Sequence, residues 1–257
     1  MKRAKVAYGG AVHDAYEHPA GLKLADGRVV AEDAVVWLAP FEVGTIIALG
    51  LNYADHVKEL SKELTVTAQD EPLAFLKAPS SVIGHRAQTR RPEGVNFMHY
   101  ECELAVVIGR TAKNVKRADA MSYVAGYSVF CDYSERAYQK EMAGQWMKGK
   151  SYDRFGPMGP WMVPASQVPD PQALRLWTKV NGELRQNGYT GDMMFPVKMV
   201  LSYISRFMTL LPGDVVATGT PSGVAMGMNP PKYLQPGDYV ELGIEGLGEM
   251  SQRVVAG

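Results

Sequence analysis

Residues 100–110 read YECELAVVIGR, and the rest of the chain can be arranged around them. Leu104, Ala105, Val106, Val107 and Ile108 form an unbroken apolar run of strand length that ends in Gly109. Such a run predicts a strand buried on both faces. Ahead of it stand Glu101 and Glu103. Side chains on a strand alternate, so both carboxylates point one way and Cys102 the other. Glu-x-Glu is also what the polar face of an exposed strand looks like. At the mouth of a buried strand, two like charges persist only with compensation, and a divalent cation compensates both at once. A second apolar segment, residues 126–132 (GYSVFCD), also ends in a carboxylate, Asp132. Two strands that each deliver acid at one end predict a three-carboxylate site of Glu101, Glu103 and Asp132. Hard oxygen donors suit Mg2+, with Mn2+ or Ca2+ as alternatives, over zinc. His99 shares the face of the glutamates and is expected beside such a site rather than in it.

Composition narrows the classes. The 257 residues, 46% apolar and 21% charged, fit one large domain or a main domain with a small partner. Lys+Arg and Asp+Glu number 27 each, so no global field favours nucleic acid or an anionic membrane as partner. The basic start Met1-Lys2-Arg3 leads into no apolar core, so no secretory signal is expected. No apolar run approaches membrane-spanning length. Two cysteines make no disulfide framework, and the expected compartment is a reducing cytoplasm.

Strand signals outnumber helical ones, so the chain reads as α+β, mostly β. Residues 1–42 form an expected small β-rich N-terminal domain, with an Asp26-Gly27 hairpin and Pro40 near its end. Residues 43–257 form the main domain. Residues 44–51 predict a buried strand that runs into a helix, with Val57, Leu60 and Leu64 at helical spacing. On that helix His56 and Glu59 are neighbours at i and i+3. Residues 56–72 are polar beyond the first turn and are expected to form a mobile lid. Residues 74–77 make a short strand ending in Lys77, which is left out of the expected site. Residues 133–148 predict helix. Residues 149–160, GKSYDRFGPMGP, predict an irregular loop that fixes the charge of Lys150. Residues 174–180 predict a strand with an Asn181-Gly182 turn, and residues 195–211 one long amphipathic helix. A strand at residues 215–218 leads into Gly219-Thr220-Pro221, and a last pair of strands is expected to flank Pro236-Gly237-Asp238.

Five motifs occur in an order that resembles the fumarylacetoacetate hydrolase superfamily. They are residues 51–56 (LNYADH), Tyr100-Glu101-x-Glu103-Leu104, Asp132-x-x-x-Arg136-x-x-Gln139, Gly149-Lys150-Ser151 and Gly219-Thr220-Pro221. The resemblance covers roughly residues 44–255. It implies that family's mixed β-sandwich roll, an Mg2+ site and a homodimer. It assigns Glu101, Glu103 and Asp132 to the metal, where the strand pattern already points. It assigns His56 and Glu59 to a catalytic pair, the carboxylate orienting the imidazole for proton transfer. Lys150 would hold a developing oxyanion or a substrate carboxylate. Arg136, Gln139 and Thr220 would contact substrate.

Within the family, stretches such as MHYECELAVVIGR and FMTLLPGDVVATGTPSGV look most like the homoprotocatechuate-pathway branch. That likeness implies a metal-dependent lyase and isomerase that decarboxylates and isomerises an unsaturated 2-oxo di- or tricarboxylic acid in aromatic catabolism. Around residues 149–160 the chain looks more like short acylpyruvate hydrolases and oxaloacetate decarboxylases, so carbon–carbon hydrolysis is the alternative. A non-catalytic 2-oxo acid binding protein is a third reading. A His56–Glu59 pair and Lys150 argue against it, because binding alone needs no proton-transfer group.

Overall fold

The computed structural model describes residues 1–60, 70–141 and 146–257, with the side chains of residues 139–141 outside that description. Among the described residues strands dominate and helices are few and short. The strand Cys102–Ile108 is the centre of a large mixed sheet. It pairs antiparallel with Val124–Cys131 on one side and with Val215–Ala217 on the other. Beyond Val215–Ala217 lie Ile46–Gly50, paired parallel, and the edge strand Leu73–Lys77. Beyond Val124–Cys131 lies Gly156–Pro164, and the N-terminal strands Arg3–Tyr8, Ala11–His18, Gly21–Leu24 and Val29–Val30 follow in order. The join to the N-terminal strands is narrow, made through Arg3 opposite Met162.

The expected burial on both faces is found. Cys102, Leu104, Val106 and Ile108 enter the main core, which also takes Leu176, Leu242, Ile244 and Met250 from a second, five-stranded sheet. The helix Val197–Phe207 packs Val200, Leu201 and Ile204 into that same core. Ala105 and Val107 turn the other way, onto Phe41, Ile46, Ala48, Val215 and Ala217. One strand with apolar partners on both sides cannot slip by a residue without exchanging its two faces, so its register is strongly fixed.

Several local expectations hold. Gly21–Leu24 pairs with Val29–Val30 across the Asp26-Gly27 turn. Arg175–Val180 pairs with Glu183–Tyr189 across Asn181-Gly182, both left-handed at φ 51° and 80°. Helices Arg136–Glu141 and Met147–Lys150 fall in the expected helical stretch, but Ser134–Glu135 ahead of them is a short strand and the second helix runs past residue 148, so Lys150 stands on a helix and not in a loop. Two further expectations need correction. Part of residues 149–160 is not loop: Gly156–Pro164 is a strand inside the sheet. It tolerates its prolines because pairing with Val124–Cys131 shifts between Tyr127 and Val129, so Pro160 falls in the irregular gap between the Gly159 and Val163 pairs. The final hairpin, Tyr239–Ile244 with Gly248–Ala256, turns at Gly246 rather than at Pro236-Gly237-Asp238.

The helix that follows Ile46–Gly50 is Ala54–Leu60, and residues 61–69, most of the expected lid, lie outside the described residues. No helix among the described residues is long and apolar enough to cross a membrane.

Candidate active site

Glu101 and Glu103 stand at the start of the central strand, and Asp132 stands just past the end of its neighbour. Cys102 lies opposite Cys131, and the Asp132 amide donates to the Glu101 carbonyl at 2.9 Å. The ladder therefore sets the three acids side by side. One carboxylate oxygen from each lies within 4.8 Å of the others, and all three residues are buried. The cysteines point away, as alternation requires. Cys102 Sγ lies 3.9 Å from the Gly243 carbonyl in the second sheet.

Three buried carboxyl groups are matched by three buried cations. Lys150 Nζ lies 2.5 Å from Glu101 Oε2 and 2.7 Å from Asp132 Oδ2. Arg136 donates to Glu101 Oε1 at 2.8 Å. Lys77, at the end of the edge strand, donates to Asp132 Oδ1 at 2.8 Å, to the Tyr133 carbonyl at 3.3 Å and to the Lys150 carbonyl. The Gly219 amide donates to Glu103 Oε2 at 2.9 Å.

Proton affinities follow from this arrangement. Burial resists ionising Glu101, but the Lys150 ammonium and the Arg136 guanidinium outweigh it and hold the carboxyl down at about 2. Burial, then the neighbouring carboxylates of Asp132 and Glu101, push Glu103 well above the usual carboxylate range. Burial also works against the charge of Lys150, and Asp132 and Glu101 overcome it. The cluster fits a hard divalent ion. Its donors are oxygens, an ammonium already stands in for a cation between Glu101 and Asp132, and Glu103 is a carboxyl that still lacks full charge compensation.

The second half of the site stands on Ala54–Leu60. Asn52 anchors its entrance, with its side chain donating to the Phe195 and Thr218 carbonyls and accepting from the Phe195 amide. His56 is buried at 4% exposure. Its Nδ1 lies 3.1 Å from Glu59 Oε2. His56 lines one small cavity together with Glu101, Glu103, Arg136, Lys150 and Thr220. Thr220 is present, but its hydroxyl donates to the Cys102 carbonyl at 2.9 Å and accepts from Gln186 at 2.8 Å. Its proton is thus committed to the backbone. His99 Nδ1 lies 3.4 Å from the Arg136 guanidinium, beside the cluster as expected. The side chain of Gln139 lies outside the described residues.

Sequence reading missed Lys77 and Trp146. Lys77 closes an apolar strand, which signals burial of its stem but not its partner 55 positions away. Trp146 lines the cavity, stands edge-on to Phe75 with ring centres 5.3 Å apart, and lies over Gly50, where a Cβ would overlap the indole. The glycine closing a buried strand was its one sequence signal.

Residues 45–255 match the model of the fumarylacetoacetate (FAA) hydrolase C-terminal family. A Burkholderia multivorans protein with the provisional name of hydrolase is 50% identical over 211 residues, 82% of this chain and 73% of its own. The 4-hydroxyphenylacetate degradation bifunctional isomerase/decarboxylase of Salmonella dublin is 45% identical over 240 residues, 91% of this chain and 53% of that one. The present chain thus spans about half the length of the bifunctional protein. Among solved structures, a 5-carboxymethyl-2-hydroxymuconate delta-isomerase from Mycobacterium smegmatis superposes with a TM-score of 0.86 at 34% identity, covering 100% of this chain and 99% of that one. The match spans the strand that sets Glu101 and Glu103, the neighbour that sets Asp132 and the helix of His56, and on it the chain belongs to the fumarylacetoacetate hydrolase family.

Proposed function

We propose that this chain is a metal-dependent decarboxylase and isomerase of an unsaturated 2-oxo di- or tricarboxylic acid in homoprotocatechuate-type aromatic catabolism. The observation that carries the reading is that Glu101 and Glu103 line one cavity with His56, while Asp132 completes their carboxylate cluster within 4.8 Å. The likeness to the Salmonella dublin protein over 91% of this chain supplies the reaction class. Mg2+ is the ion we assign, with Mn2+ and Ca2+ as alternatives, held by Glu101, Glu103 and Asp132. Such an ion supplies Lewis acidity toward the carboxylate and keto oxygens of a 2-oxo acid.

The chain's own groups do the rest. Lys150 and Arg136 present fixed cations in a site shielded from water, where a developing oxyanion is held most strongly. When carbon dioxide leaves, its bonding electron pair stays on the substrate carbon and is delocalised through the double bond onto the keto oxygen. Glu59 accepts from Nδ1–H of His56, which leaves Nε2 to carry a proton. His56, having taken a proton from solvent at Nε2, then gives it to carbon, and the carbon that receives it decides where the double bond ends. The cavity measures about 20 Å³, the room of about one water. An eight-carbon tricarboxylic acid therefore enters only after Trp146 or the helix of His56 shifts. Residues 1–42 we assign to a small unit of their own, and the working form to a cytoplasmic homodimer.

The name of the Burkholderia relative favours a second reading, hydrolysis. The likeness of residues 149–160 to acylpyruvate hydrolases and oxaloacetate decarboxylases points to an acylpyruvate as its substrate, with oxaloacetate decarboxylation beside it. The readings differ in what His56 does. A hydrolase needs it to activate water, so His56→Ala would abolish turnover. A decarboxylase keeps its electron sink, so His56→Ala still releases carbon dioxide from 5-oxopent-3-ene-1,2,5-tricarboxylate but scatters the double-bond position. Measuring both products in wild type and variant decides. Acylpyruvate cleavage by the wild type, with no carbon dioxide from the tricarboxylate, would overturn the first reading.

A further inference from the structure

The helix that carries His56 has seven residues, Ala54–Leu60. A helix that short has no stability of its own, so tertiary contacts decide where the imidazole sits. Those contacts come from residues 219–227. Asp55 Oδ2 accepts from the Ser222 amide at 3.1 Å and from the Ser222 hydroxyl at 2.6 Å. Glu59 Oε1 accepts from the Gly223 amide at 2.9 Å, while Oε2 faces His56 Nδ1. Gly227 lies so close to Glu59 that a Cβ there would overlap the carboxylate. Leu60 is buried with Val224 and Met226. The same segment opens with Gly219, whose amide holds Glu103. One stretch of chain thus touches a carboxylate of the triad at its start and the carboxylate partner of His56 at its end.

We propose that Ser222, Gly223 and Gly227 are positioning residues that hold the His56–Glu59 pair in register with the carboxylate triad, Ser222 through Asp55 and the two glycines through Glu59. The proposal rests on the reading of His56 as the proton carrier. None of the three residues lines the cavity, so they act through the pair and not on substrate. The division of Glu59 is the core of the device. The Gly223 amide occupies one carboxylate oxygen and thereby aims the other at Nδ1, which fixes the tautomer and the ring plane together. Gly227 serves by having no side chain at a point of close approach: any Cβ moves the carboxylate off its mark.

The test uses the full chain with Mg2+ and the 2-oxo acid that wild type turns over fastest. Four variants are compared: Gly227→Ala, Ser222→Ala, Ser222→Thr and His56→Ala. Gly227→Ala lowers kcat for the product with the wild-type double-bond position by about 100-fold, the scale of a misplacement of about 1 Å in a catalytic group. KM and calorimetric Mg2+ affinity stay at wild-type values. Ser222→Ala lowers kcat less and speeds amide exchange across residues 54–60, and Ser222→Thr, which keeps the hydroxyl, restores both. Ser222 is half-buried, so Ser222→Ala keeps the test open should Gly227→Ala fold poorly. Wild-type kcat in Ser222→Ala and Gly227→Ala, with His56→Ala impaired, would overturn the proposal. So would a matching loss of Mg2+ affinity, which would place the effect at Glu103. Wild-type turnover with an unchanged product in His56→Ala would remove the reading beneath it, and the proposal with it.

Discussion

The two halves of the site are built in opposite ways. Glu101, Glu103 and Asp132 sit on or beside the ends of two long strands that are paired over their length and buried on both faces. Their positions are set by the same ladder that sets the core. His56 and Glu59 sit on a seven-residue helix held by a few hydrogen bonds from one loop and by Leu60. A ladder-mounted cluster is suited to holding ligands at fixed distances. A docked helix is suited to motion, because undocking it breaks few contacts and leaves the sheet intact. Ion binding and proton transfer should therefore be separable by mutation, and the following experiments strain that division in order of expected effect.

Asp132→Asn strikes the ladder half at a residue bonded to both Lys77 and Lys150. It is expected to weaken Mg2+ binding by more than about 100-fold, beyond the usual cost of losing an outer partner of a metal ligand. The rise in melting temperature with Mg2+ should vanish with it. His56→Ala, by contrast, should leave calorimetric Mg2+ affinity at the wild-type value; a parallel loss would erase the division. Lys77→Met removes one of the two cations of Asp132 and should lower stability in chemical unfolding by less than the about 3–5 kcal/mol of a wholly broken buried pair, since Lys150 still faces the carboxylate at 2.7 Å.

The pH response sharpens the same contrast. Glu101 is held at about 2 against an ordinary 4.5. Its folded value lies below its unfolded one, so its contribution is full above about pH 4.5 and is lost as pH falls toward 2. Acid unfolding of the protein without added ion should show this slope, and Glu101→Gln should flatten it. The smallest effect is expected from Cys102→Ala with Cys131→Ala. Both thiols lie on the far side of the sheet from the acids, so Mg2+ affinity and turnover should be unchanged. Loss of Mg2+ binding with the fold intact would contradict the observed facing.

The ladder half was also the half legible in the sequence. Alternation is a local rule, so Glu101 and Glu103 declared a shared face from two positions apart, and residues 104–108 declared a doubly buried strand. The helix of His56 was legible as a helix but not as a docked one, because its anchors at Ser222 and Gly223 lie 167 and 164 positions away from the acids they bind. Lys77 was passed over for the same reason. A lysine ending an apolar strand is visible, but the carboxylate that makes burial tolerable is not. The strand Gly156–Pro164 was hidden by its own prolines, which mark a loop unless a shift in pairing absorbs them. The final hairpin was displaced because Pro236-Gly237-Asp238 is a stronger local turn signal than Gly246, although the strands close on the weaker one.

The pairing of Lys150 with Glu101 and Asp132 bears on the order in which a cell makes this protein ready. With Glu101 and Asp132 already facing ammonium and guanidinium groups, folding would not have to wait for an ion. Loading then exchanges local partners and leaves the architecture alone. On the metal-dependent reading proposed above, the supply of divalent ions, rather than their insertion during synthesis, would govern how many molecules are active at a given moment. A cell short of that ion would hold an intact idle stock, which resumes work on resupply without new translation.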